Sequence, residues 1–418
     1  MLETLRNAWR IKELRQRIIF TLLMLVVYRL GSHVPVPGVD ARIVASRIAE
    51  GNLFGLYNVF AGGALENYTI FAMGIYPYIT ASIIIHLLTA IIPKLEEWAK
   101  EGPEGQKKIQ QLTRYGAVVL ALLQSVGMTV GVFRDAVLNP GIFTYITIAI
   151  TLTAGTAFLM WLGEVITDKG IGNGISLIIF GGIVSQFGPG VLGTFELARV
   201  GETSIFTVIA TVVVMLALIV GIIAIEEGQR RIPVQYAKRV VGRRMYGGQS
   251  TSLPMKINQA GVIPVIFSST LLMMPSTLAS FIQHPFAQRL AEIFSPGGTV
   301  YTILFVLLIF FFAYFYTAIQ FDPHKIAGDI KKYGGFIPGL RPGRPTADFL
   351  ARVSSRLTLA GALFLALIAV LPVLLQVFFK INIIFSGTGM IIVVGVVLET
   401  MKQIESHMLM RNYQGFIK

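Results

Sequence analysis

From Ile205 to Ile225 the chain reads IFTVIATVVVMLALIVGIIAI, twenty-one residues without a charged side chain. As a helix this stretch is about 31 Å long, close to the ~30 Å hydrocarbon core of a bilayer. In lipid the backbone must satisfy its own hydrogen bonds, so such a stretch folds as a membrane helix. Similar stretches recur, and ten spans are counted, with approximate ends 18–34, 70–92, 115–133, 142–163, 174–190, 204–225, 259–282, 299–319, 357–378 and 384–400. Everything between them reads as loop. Hydrophobic residues make up 54% and charged ones 14% of the 418, too few charges to cover a soluble domain of this length. The first apolar run, from Ile18, follows a basic segment but lacks a small-residue cleavage site and runs into PVPG. It reads as a retained span.

Orientation follows from Lys and Arg. The N-terminus, the even-numbered loops and the C-terminal tail hold 28 of the 35 basic residues against 15 of the 22 acidic ones, a surplus of 13. The odd-numbered loops, together with Arg29 at the end of the first span, hold seven of each sign. The basic face is expected to be cytoplasmic, with both termini on it. The pI therefore needs no nucleic acid to explain it.

The absences are informative too. There is no cysteine, hence no disulfide or thiol chemistry. Apart from Arg29 near one end of the first span, the central parts of the spans carry no Asp, Glu, Lys or Arg. A secondary transporter with a midplane solute site needs such groups, so this alternative is disfavoured. No G-x-x-x-x-G-K-[ST] loop is present to hold a nucleotide. An intramembrane hydrolase built on Ser176 and His86 lacks a carboxylate to orient the histidine. Gly170-Ile171-Gly172-Asn173-Gly174 follows a span rather than a strand, and reads as a tight turn. No catalytic residue, metal site or cofactor is expected.

Two local features stand out. LFGLYNVFAGGALENY, residues 53–68, is apolar but too short to span, and ends its apolar run in Gly62-Gly63. It is either a re-entrant piece lining a cavity or an amphipathic element on the outer surface. In GIYPYITASIII, from Gly74, isoleucines at 75, 79 and 83 form one helical stripe beside a glycine and a proline.

Many segments resemble the SecY family of protein-conducting channels: IKELRQRIIF (11–20), VPVPGVD (34–40), NVFAGGAL (58–65), FAMGIYPYITASIII (71–85), GIGNGISLIIF (170–180), GQRRIPVQYAKR (228–239), NQAGVIPVIF (258–267), FIPGLRPGRPT (336–346) and SRLTLAGALF (355–364). The resemblance runs from end to end. It implies an all-α polytopic membrane protein, with ten transmembrane helices in two inverted five-helix halves around an hourglass pore and a short re-entrant plug helix. The implied divisions are a cytoplasmic amphipathic N-terminus (1–17), an N-terminal half (18–190) containing the plug (53–68), an external hinge loop (191–203), a C-terminal half (204–405) with docking loops 226–258 and 320–356, and a cytoplasmic tail (406–418).

The resemblance also implies roles. Ile75, Ile79, Ile175, Ile179, Ile266 and Ile392 match the pore ring, whereas Ile83 matches no ring position. Leu56, Tyr57, Asn58, Val59, Phe60, Ala61, Gly62 and Gly63 match the plug. Thr80, Gln124 and Ser269 are polar residues at the lateral gate between spans 2–3 and 7–8. Arg341, Arg243 and Arg244 lie in the surface that receives motor and ribosome. The implied function is to translocate unfolded secretory polypeptides across the cytoplasmic (inner) membrane and to release transmembrane segments sideways into the lipid bilayer. The implied partners are the small subunits SecE and SecG, the motor ATPase SecA, the ribosome, signal sequences and unfolded preproteins, with YidC and SecDF in association.

Overall fold

The computed structural model describes residues 6, 8–50, 52–200, 204–236, 239–241, 244–246, 250–280, 289, 293–294, 298–379 and 387–414. A helix lies at each of the ten apolar stretches: α1 (Lys12–Gly31), α4 (Tyr76–Ile91), α6 (Pro103–Gly127), α7 (Ile142–Lys169), α8 (Gly174–Ser185), α10 (Ile205–Glu227), α11 (Ile263–Ser280), α12 (Thr299–Gln320), α14 (Arg344–Phe379) and α15 (Gly387–Gln414). Seven helices among the described residues are long and apolar enough to cross a membrane by themselves. The pair formed by α4 and α5 (Pro93–Lys100) makes an eighth, bent by 100°. Ile92 sits at the bend with extended backbone, φ −93° and ψ 114°, as a residue preceding proline prefers.

The connections are not all loop. α2 (Ala41–Glu50) and α3 (Asn52–Phe60) lie between the first two spans, α9 (Phe187–Val200) follows α8, and α13 (Pro323–Lys332) follows α12. Asp322 starts α13 by accepting from the amides of His324 and Lys325, with Pro323 in the first turn. Past α10 the chain forms strands β1 (Gln229–Tyr236), β2 (Arg239–Val241), β3 (Arg244–Tyr246) and β4 (Ser250–Lys256). β1 pairs antiparallel with β4, and its far end pairs with β5 (Gly335–Phe336), Gln235 opposite Phe336. A three-stranded sheet thus joins two connections that the sequence keeps about a hundred residues apart.

Two large cores hold the helices. The first draws mostly on residues 28–183, including Tyr28, Tyr57, Phe71, Ile79, Leu152 and Ile179, and takes in Phe267, Phe312 and Ile392. The second packs α10, α11, α12, α14 and α15 through Ile222, Val265, Ile309, Ile368 and Ile391. A small third core lies under the sheet, where Ile232, Val234 and Met255 meet Ile330, Ile337 and Leu350.

Candidate functional site: an apolar constriction under a buried short helix

Gly74 and Pro77 make sense together. Gly74 turns the chain with φ +54°, a conformation that glycine adopts without strain. Pro77 sits in the first turn of α4, where its missing N–H costs no helical bond. The helix starts there because the preceding backbone has turned, and Ile75 and Ile79 descend from that point on one face. In α8, Asn173 caps the start by accepting from the amides of Ile175 and Ser176 at 3.1 and 3.2 Å. This fixes Ile175 and Ile179 a turn apart.

Ile75, Ile79, Ile179 and Ile266 line one cavity of about 20 Å³, room for about one water. Its other walls are Tyr57, Phe60 and Ala61 of the short segment, with Met73, Gly74, Tyr76 and Thr270. Among the described residues no ionised side chain lines it. Ile392 is fully buried in the same core without lining the cavity. Ile175 is half-buried and packs beside Gly163 of α7, where an added Cβ would come within 2.9 Å of its side chain. Ile83, one turn beyond Ile79, is buried outside the cavity lining.

The short segment is enclosed by protein. Tyr57, Asn58, Ala61, Gly62, Ala64, Leu65 and Tyr68 are buried, while Val59, Phe60 and Gly63 are half-buried and Leu56 lies within α3. The Tyr57 hydroxyl donates to the Met73 carbonyl at 3.0 Å, and its ring lies 4.9 Å from that of Tyr76. Asn58 accepts from the Glu66 amide at 3.1 Å, closing the loop on itself. At the far end the Ala61 carbonyl accepts from Tyr28, and the Gly62 carbonyl from Arg29 and Ser185. An added Cβ on Gly62 (φ +66°) would meet Gly182 Cα at 2.7 Å. Arg29 stands out in the sequence as the charge within the first span, and Tyr28 only as its neighbour at the end of an apolar run.

At the seam between α4 and α11, Thr80 donates to the Tyr76 carbonyl and Ser269 to the Ile266 carbonyl, each within its own helix. Gln124 is buried on α6 and its Oε1 has no hydrogen-bond partner among the described residues. The bond that does cross the seam comes from Tyr76, whose hydroxyl donates to the Thr270 carbonyl at 3.0 Å. Further along, the rings of Phe267 and Tyr316 each lie 6.3 Å from that of His86. His86 Nδ1 lies 2.7 Å from the Ser82 carbonyl, so this ring is held by its own helix and by aromatic packing. α6 ends in a π-turn, Met128–Val132, where Thr129 bonds the Tyr68 hydroxyl at 2.8 Å.

Arg341 is exposed on the turn between β5 and α14. Gly339 (φ +82°) and Gly343 (φ +104°) shape that turn, and the Arg341 carbonyl accepts from Thr346 at 2.8 Å. The stretch has an apolar side, where Ile337 is buried and Leu340 partly so against the sheet. The arginine is therefore presented from a small packed lobe rather than a free loop. Arg244 begins β3, and Arg243 lies outside the described residues.

A family model described as SecY matches residues 69–401. A curated relative from Halalkalibacterium halodurans, called protein translocase subunit SecY, is 49% identical, with all of each chain covered. A solved structure of SecY, whose plug domain is described as stabilising the closed state of the translocation channel and maintaining a membrane seal, superposes with TM-score 0.70 at 19% identity, covering 94% of this chain and 92% of the other. Sec61 in a canine ribosome–channel complex gives 0.63 at 18%, with the same coverage.

Proposed function

The chain belongs to the SecY family, and from that membership we propose that it is the channel subunit of a protein translocase, closed by an isoleucine constriction with the 53–68 segment seated on it as a plug. One observation carries this reading: Tyr57, Phe60 and Ala61 share one small apolar cavity with Ile75, Ile79, Ile179 and Ile266. An apolar constriction of that size disfavours water and ions without any fixed charge. It makes no directional bond to what passes, so it yields to an unfolded polypeptide of any sequence. Ile175 and Ile392 match the same ring and belong to the same core without lining this cavity.

A path without catalytic groups does no work itself. We assign the driving force to partners that dock on the cytoplasmic lobe, SecA and the ribosome, with Arg341 at its tip and Arg243 and Arg244 in the neighbouring connection. SecE and SecG are the small membrane subunits of the same complex, in the cytoplasmic membrane, with both termini of this chain on the cytoplasmic side. The sideways exit lies between α4 with the α6 π-turn and α11 with α12, where Thr80, Gln124 and Ser269 sit.

The chain has no cysteine, so an Ala61→Cys variant reports on one position alone. In the reconstituted complex, a membrane-impermeant thiol reagent should label it slowly at rest and much faster during translocation. Equal rates in both states would contradict the plug.

A further inference from the structure

Arg29 is the one charge that the reading of the spans singled out and that the proposed pathway does not use. It occupies the last turn of α1 and is half-buried. None of the ion pairs among the described residues includes it. A cation in a membrane helix is held by a carboxylate or by carbonyls, or it reaches water. Here the Arg29 guanidinium donates at 2.8 Å to the Gly62 carbonyl and lies 3.2 Å from Ser185 Oγ. Ser185 itself reaches the Gly62 carbonyl at 3.3 Å and the Gly182 carbonyl at 2.7 Å. Tyr28, the preceding residue, donates to the Ala61 carbonyl at 3.3 Å.

Two consecutive carbonyls at the end of the short segment thus receive donors from α1 and α8, and one donor is charged. The α1 dipole also favours a cation in this turn. That effect is present whether the segment is seated or displaced, so it cannot favour either state. The bond to Gly62 exists in only one of them.

We infer that Arg29, backed by Ser185, is a latch that holds the plug seated and sets how often the resting channel opens. It is a positioning residue acting on the plug, and the inference rests on the channel reading above. The two ends of the plug then have separate tasks. Tyr57, Phe60 and Ala61 close the cavity by apolar contact, while Gly62 is held by a charge-assisted bond that is lost when the plug leaves.

The test uses the complete complex with Ala61→Cys as reporter and the impermeant thiol reagent as probe. Where reclosing outpaces labelling, the resting rate tracks the population with the plug displaced. Loss of one charge-assisted hydrogen bond should raise that rate roughly tenfold to hundredfold in Arg29→Met. Arg29→Lys, which keeps the charge on a shorter stem without the planar fork, should fall between parent and Met variant. Ser185→Ala should raise the rate less, and its effect should not add to that of Arg29→Met, because both act on one carbonyl.

A resting rate in Arg29→Met equal to the parent's, with labelling still accelerated by translocation, would overturn the latch and leave the channel reading standing. No acceleration in the parent would overturn the plug itself and the latch with it. Should Arg29→Met fail to assemble, Ser185→Ala decides, since the guanidinium stays in place. An unchanged resting rate there overturns the latch.

Discussion

The constriction and the lobe around the three-stranded sheet are built on opposite principles. Around the cavity, isoleucines from α4, α8 and α11 meet the short helix by apolar contact, which is non-directional and carries no sequence preference. In the lobe, a compact sheet and two helices bury Ile232, Ile337 and Leu350 and leave Arg230, Arg231, Lys331, Lys332, Arg341 and Arg344 exposed. One region must part for many different chains, so bonds specific to any one passing chain would hinder it. The other, as the proposed docking surface, gains direction and specificity from charge on a rigid base.

The largest effect that sharpens this contrast is expected from Arg341→Glu. Its side chain is exposed and its carbonyl bond to Thr346 survives, so the lobe should fold. Losing a charge-assisted contact and gaining repulsion should lower motor-driven transport by roughly a hundredfold or more. In-vitro translocation with purified motor, beside a check of protein level and topology, measures it. Normal transport, or loss through degradation alone, would remove the docking role.

Next comes Gly62→Ala. It places a Cβ against Gly182 at φ +66°, costing about 1–2 kcal/mol in the seated plug alone. Resting thiol labelling at position 61 should rise about tenfold. Unchanged labelling would mean that the plug's turn is not held by shape.

Tyr76→Phe probes the directional bond that crosses the seam at the level of the cavity among the described residues. Removing its hydroxyl from the Thr270 carbonyl should ease gate opening by about 1 kcal/mol, roughly fivefold. Faster export of substrates with weakened signal sequences is the readout, and no change would place the gate elsewhere. The smallest effect is expected from Gln124→Met. A buried Oε1 without a partner is already unsatisfied, so a similar apolar side chain should leave thermal stability unchanged or slightly raised. A clear loss would show that this glutamine holds the seam when the channel is shut.

How much of this was legible in the sequence depends on range. A helix at each of the ten stretches was, because a long apolar stretch leaves the backbone no alternative in lipid, although only seven or eight of the described helices have the length and hydropathy of a span. So was the pairing of Ile75 with Ile79 and of Ile175 with Ile179, since spacing of four fixes a shared face. That Ile175 packs beside Gly163 while Ile179 lines the cavity was not, because a helical face is wider than the cavity. Thr80 and Ser269 resemble gate residues in type and place, yet both spend their hydroxyls on their own helices. The Asp322-Pro323 start of α13 is a readable signal that a reading focused on spans passes over. The β1–β5 pairing and the Tyr76–Thr270 bond join residues about 100 and 194 positions apart, which no local pattern encodes.

The most direct test of the central claim, that the isoleucine constriction seals by apolar contact, is the planar-bilayer conductance of the resting complex with Ile79→Asn and Ile179→Asn, against Ile83→Asn as control. Asn at 79 or 179 wets a cavity that now has room for about one water, whereas Ile83 is buried outside the lining. The account predicts a steady ion leak in the first two variants and none in the third. Conductance at the parent's level in both Ile79→Asn and Ile179→Asn, in complexes that still translocate, would contradict it.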